Sequence, residues 1–172
     1  MMIVERAAVE ATDLPLDALA ARMRLSDGWA AVPGQLARLE ARLRAALDGV
    51  EARTGKALVL RSFTLEGPAA ERVSLPLAPC VSVEALSVDG TAVAAYGVER
   101  DLHRTVLVLP RYAGRLRVEM RAGFASWDAV PGALSEAVLI YAEALDAGAT
   151  ALPDGVAALI APHRPVRVGA GA

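Results

Sequence analysis

The hydrophobic period of this chain changes twice along its length, and that constrains the fold more than any other feature. From Gln35 to Thr54 the apolar residues Leu36, Leu39, Leu43, Leu47 and Val50 recur at the spacing that draws one stripe along a helix, with charges opposite. From Lys56 to Ala122 the period falls to two, the repeat of a strand. Helical spacing returns in VPGALSEAVLIYAEALDAG, where the line Leu134, Val138, Tyr141 and Leu145 widens to take in Leu139 and Ile140. Helices on both sides of a block of strands predict an α+β chain: a helical bundle with an inserted antiparallel β-meander or hairpin.

Helices are expected over about 14–25, 35–54, 131–147 and 153–161, with the β insert over about 57–121. In the first, Leu16, Leu19, Ala20 and Met23 share a face and Asp13 suits the N-cap. Gly55 and Gly148 supply stops, Pro131 suits a first turn, and Pro162 halts the last helix. Within the insert, ALVLRSFTL opens the alternation and TVLVLP is apolar on both faces. In LPLAPCVSVEALSVDG the apolar set Val81, Val83 and Ala85 gives way to Leu86 and Val88, a phase slip that calls for a bulge or a change of partner. Asp89-Gly90 then reads as a hairpin turn. In RLRVEMR, Leu116, Val118 and Met120 oppose Arg115, Arg117, Glu119 and Arg121, so one face of the sheet meets solvent or a partner.

A length of 172 residues with 55% hydrophobic and 22% charged residues fits one compact domain, here 1–163, followed by an extended C-terminal arm over 164–172. The apolar runs, such as Ala137–Ala142, fall well short of the roughly 20 residues that cross a bilayer, so no membrane partner is expected. Glu5, Arg6 and Glu10 break up the N-terminal segment where a secretory leader needs a continuous apolar core. Cys80 is the sole cysteine, which excludes an internal disulfide framework and fits a small buried hydrophobe. The net charge of −2 leaves no basic excess for sequence-reading DNA binding. Arg38, Arg42 and Arg44 are interleaved with Glu40 and Asp48, the pattern of a salt-bridged helix face.

Motifs that carry chemistry are not found. Thr54-Gly55-Lys56 echoes a phosphate loop, but Val50 and Ala57 stand where that motif needs Gly and Ser or Thr, and the segment ends a helix instead of preceding one. His103 and His163 have no Cys or carboxylate at metal-ligand spacing. Glu99 and Asp101 flank Arg100, which reads as solvation of a loop and not as an acid–base pair. The expectation is a protein without catalytic residues, metal or cofactor, built to contact other proteins.

Four segments in order, VEARTGKALVLRSFTL, LPLAPCVSVEALSVDG, VEMRAGFASWDAVPGALSEAVLIYAEAL and LPDGVAALIAPHRPVRV, resemble the head-tail connector (adaptor) proteins of HK97-type tailed phages, related prophages and gene transfer agents. The shared features are a helix running into a TG turn and a strand, a proline-bounded strand ending in DG, an AGF and VP approach to a long helix, and a closing LP helix leading to PHR. The resemblance implies a homo-oligomeric ring, usually dodecameric, docked on the portal protein at the particle neck after DNA packaging. Such a ring extends the DNA channel and offers a platform to the next head-completion or tail protein, the stopper. It touches passing DNA only non-specifically, and during assembly it resides in the host cytoplasm. On this reading the arm residues Arg164, Pro165, Val166, Arg167 and Val168 are the candidate portal anchor, because alternating valines between arginines can add to a strand edge or groove. Leu36, Leu39, Leu43, Leu139 and Ile140 are the candidate subunit contacts.

Two alternatives stand beside it. One is a small enzyme or ligand-binding domain with a site assembled from scattered residues such as Asp101, His103 and Tyr112. The other is a different ring component, a stopper or tail terminator, which is expected to be mainly β and to lack strong helices on both sides of its sheet.

Overall fold

The computed structural model describes residues 1–100, 104–110 and 113–165. The chain folds as two compact units, each assembled from separate stretches of sequence: Met1–Ala8 with Gly55–Gly123 and the described residues from His163 onward, and Val9–Thr54 with Phe124–Pro162.

The first unit holds the strands β1 (Met2–Arg6), β2 (Arg61–Pro68), β3 (Arg72–Leu75), β4 (Cys80–Val88), β5 (Thr91–Ala92), β6 (Gly97–Arg100), β7 (Thr105–Val108) and β8 (Arg115–Ala122). They make a five-stranded sheet in the order β1-β2-β8-β4-β5 and a three-stranded sheet in the order β3-β7-β6. Every pairing between these strands is antiparallel. The insert is thus antiparallel as the alternation predicts, with hairpins at β4–β5 and β6–β7. The last strand, β8, lies between β2 and β4, so neighbours in the large sheet are set by long-range pairing as well as by hairpins.

Alternation decides which side chains go inward. In β8, Leu116, Val118 and Met120 are almost wholly buried, while the residues between them carry charge outward. Their cross-strand partners on β2 are Gly67, Leu65 and Phe63, so one apolar face is assembled row by row. It joins Val73, Leu75 and Leu107 of the small sheet in one continuous core. Each such Leu, Val, Phe or Met gains about 1.5–3 kcal/mol from removal of its side chain from water.

The phase slip in β4 is real, but it falls differently from the expectation. Its register against β8 shifts twice, between Cys80 and Ser82 and between Val83 and Ala85. The first shift turns Val81 out to 50% exposure, and Ala85 is exposed too; Cys80, Leu86 and Val88 are the buried members, with Val83 packed against the core. Expecting an inward Val81 and Ala85 fails because a bulge displaces a side chain without leaving a mark in composition. The hairpin at Asp89-Gly90 follows the prediction: both residues have positive φ, 49° and 80°, as a tight two-residue turn between twisted strands requires.

The strand β1 is absent from the sequence reading. MIVER has three apolar residues in a row and then two charges, and it becomes a strand only because β2 offers it a partner edge.

The second unit is helical: α1 (Leu16–Arg22), α2 (Gln35–Thr54), α3 (Gly132–Asp146) and α4 (Asp154–Ile160), with single 3-10 turns at Ala11–Asp13, Trp29–Ala31 and Trp127–Ala129; a fourth turn, Ala161–His163, spans the point where the chain passes to the first unit. The stripe of α2 sinks Leu39, Leu43, Leu47 and Val50 against Leu134, Ala137 and Val138 of α3 and Ile160 of α4, all almost wholly buried. Asp13 does not cap α1. It ends the 3-10 turn, and Pro15 occupies the cap position, where it needs no amide hydrogen.

Candidate functional site

The outer face of the five-stranded sheet is organised around Glu66. This residue of β2 lies opposite Arg117 of β8 in the register, with Arg115 two places along the same strand. Arg115 Nε donates to Glu66 Oε2 at 3.0 Å and Arg117 Nη1 to Oε1 at 3.1 Å, so one carboxylate serves two guanidinium groups. Arg117 also reaches Glu119 at 3.4 Å. The hydrogen bond from Arg115 is the main cause that holds the Glu66 carboxyl below the usual carboxylate range. Both partners remain open to solvent, so the cluster orders the face more than it stabilises the fold.

On the three-stranded sheet, Arg72 and Glu99 form a two-pronged pair across β7, with Nη1 to Oε1 at 2.9 Å. The same pairing lowers the Glu99 carboxyl and raises the Arg72 guanidinium. Arg100 and Arg104 lie beside them around an open depression of about 400 Å³. Arg100 Nη2 also donates to the Val81 carbonyl at 3.3 Å.

In the helical unit Arg38, Arg42 and Arg44 of α2 are salt-bridged, but only Arg44 to an acid of its own helix as the spacing predicts. Arg38 and Arg42 converge on Asp146 of α3 at 3.5 and 3.6 Å, and Arg44 pairs with Glu40 one turn earlier. Arg22 clamps α1 to α3 through Glu143 and Glu136, both at 2.7 Å, and the Glu143 hydrogen bond is the main reason its guanidinium is held charged. An open groove of about 460 Å³ runs past Leu14, Leu16, Trp29, Leu36 and Trp127, and so uses both tryptophans of the chain.

Against this background the predicted contact residues separate. Leu39 and Leu43 are 0% exposed inside their own unit, so their surface is already used in the monomer. Leu36 is 39% exposed at the tryptophan groove, and Leu139 and Ile140 are half-buried. The periodicity of α2 identifies the stripe but not where burial stops along it. Of the predicted anchor, Arg164 and Pro165 are exposed, whereas Val166, Arg167 and Val168 lie outside the described residues. Asp101, His103 and Tyr112, the scattered residues of the enzyme alternative, lie outside them as well. Among the described residues, no group of three or more His, Cys, Asp or Glu is placed to hold a metal ion, and no helix is long and apolar enough to cross a membrane. Cys80 is buried, and burial is the main cause that pushes its thiol up.

Sequence reasoning missed the exposed apolar residues of the first unit. Met2, Ile3 and Val4 on β1 are 62%, 42% and 37% exposed, and Val81 on β4 is 50% exposed. Only the run MIV itself signals the first group, and the bulge hides the second.

No protein-family model matches the chain, and no curated protein does. Solved structures match it from end to end. A chain in the neck of an empty gene transfer agent (GTA) particle computed with C6 symmetry is 37% identical, with a TM-score of 0.84 over 99% of both chains. The chain belongs to the gene transfer agent neck proteins. A second member, from the virion of a native GTA particle, is 37% identical at a TM-score of 0.82, again over 99% of both chains. A third, from the neck of a native GTA particle computed with C12 symmetry, is 34% identical at 0.78 over the same share. The match spans both units of this neck protein, and so includes the β insert and not the helices alone.

Proposed function

We propose that this neck protein is the head-tail connector, or adaptor, of a phage-like gene transfer agent particle. Twelve copies form a ring that docks on the portal protein, continues the DNA channel and presents a platform to the stopper. The observation that carries this reading is the full-length likeness to neck chains of GTA particles, among them one computed with C12 symmetry. The α+β architecture supports it over a mainly β stopper or tail terminator, since four helices pack a unit of their own here. The role is structural: ordered ion-pair faces and exposed apolar positions are the equipment of a protein that binds other proteins.

The portal contact is assigned to the arm that starts at Arg164. Its two arginines, Arg164 and Arg167, alternate with Val166 and Val168, a pattern suited to adding along a strand edge or groove with charges paired to acidic groups. Ring contacts in the helical unit fall to Leu36, Leu139 and Ile140, the members of the predicted set that keep accessible surface.

Deletion of Arg164–Ala172 tests the docking. The truncated protein is expected to keep its circular dichroism and melting behaviour while losing attachment to portal-containing heads, counted by electron microscopy. Wild-type occupancy by the truncated protein would remove the arm as anchor.

A further inference from the structure

Cyclic rings are built from heterologous contacts, in which one patch of a copy meets a different patch of the next. The β unit carries two such patches at opposite edges of one sheet. In the order β1-β2-β8-β4-β5, the strand β1 has β2 on one side and, among the described residues, no strand on the other. At the far edge, β5 pairs only with Ser87 and Val88, so residues 80–85 of β4 have no described strand beyond them. Among the described residues of this unit, the exposed large apolar side chains fall on these same two segments: Met2, Ile3 and Val4 on the first, Val81 on the second.

An exposed apolar strand edge is a liability for a free protein, since its unpaired amides and carbonyls template pairing with other chains. Here both edges carry a guard. A register shift interrupts β1 between Ile3 and Glu5, and two more interrupt β4 between Cys80 and Ala85. The Val81 carbonyl is held by the Arg100 side chain at 3.3 Å and not by a strand, a long exposed group that can swing away. The lengths are close, with five residues in β1 and six in the open part of β4, 80–85. Each neighbouring pair in the sheet is antiparallel, so β1 and β4 run in opposite directions and a junction between copies turned by one small ring step stays near antiparallel.

The geometry points to a second copy of this chain as the occupant of both edges: β1 of one subunit adds to residues 80–85 of β4 in the next, and the five-stranded sheets join around the ring. The junction covers Val81 of one copy and the exposed apolar residues of β1 in the next, with Met2 and Ile3 on opposite faces of the joined sheet, while the shared backbone hydrogen bonds set the register. This rests on the ring reading above and goes beyond it by naming both halves of one contact.

Hydrogen exchange on the wild-type chain, free and in purified particle necks, tests it without substitution. Those amides of residues 2–6 and 80–85 that point away from β2 and β8 are expected to exchange at least about tenfold more slowly in the neck than in the free chain. Unchanged exchange at either segment in neck-bound protein overturns the junction, whereas absence of the protein from necks overturns the connector reading instead. A second measurement uses Ile3→Asp and Val81→Asp, each checked for native circular dichroism. Either alone is expected to stop ring growth; mixed, the two retain one intact edge each and form pairs that grow no further. Complete rings from either single variant, or no pairs from the mixture, would reject the edge-to-edge contact.

Discussion

Gly123 shows how one residue can carry the geometry of a junction. It ends the run of β8 with φ 123°, and its amide donates to the Pro79 carbonyl at 3.0 Å. A Cβ at this position would sit 2.4 Å from the carbonyl oxygen of Val59, a backbone atom that has no rotamer by which to yield. Gly123→Ala therefore adds left-handed strain to a steric clash, and a loss of about 2–4 kcal/mol is expected in urea unfolding. A midpoint unchanged within error would show that the backbone relaxes around the methyl group. The AGF of the family resemblance thus has a physical cause, which the sequence displays only as a letter. Glu66 is the opposite case: its acidity and its place in a strand are legible, but the two arginines that lower its pKa come from a strand about fifty residues away and are brought alongside by pairing alone.

At the level of elements, periodicity was a good guide where one side of a segment is buried and a poor one where both sides face something. The α2 stripe and the β8 alternation are legible because each meets a single core, and the structure places their apolar residues there. The helix also shows where such reading ends, since Leu36 and Leu43 belong to one stripe by spacing yet are 39% and 0% exposed. Leu43→Ala is expected to cost about 2–5 kcal/mol, through lost transfer energy and the cavity left behind, and Leu36→Ala less than about 1 kcal/mol. Chemical denaturation of both variants checks the contrast, and equal costs would mean that the end of α2 is packed as tightly as its middle. The strand β1 was not legible because an edge strand takes its conformation from its partner, and no local signal in MIVER names β2. The placement of β8 between β2 and β4 escaped for the same reason.

For the whole molecule, charge sets what DNA contact is allowed. With 18 basic against 20 acidic side chains the chain has no cationic excess for phosphates, and Arg22, Arg38, Arg42, Arg44, Arg72, Arg115 and Arg117 are each engaged by carboxylates. Duplex binding by the isolated protein is expected to be weak, indifferent to sequence and lost as salt rises, which fluorescence anisotropy over a salt series would measure. A sequence-selective complex that survives moderate salt would contradict it.

The division of each unit between distant parts of the chain bears on inheritance. The β unit takes Met1–Ala8 and Gly55–Gly123, with the first helices of the other unit encoded between them. A recombination event that exchanged the middle block alone would leave β1 behind to pair with a foreign β2, opposite a foreign Leu65 and Thr64. The insert is therefore not a freely portable cassette. Lineages that trade it must also trade the codons for residues 1–8 or evolve the two strands together.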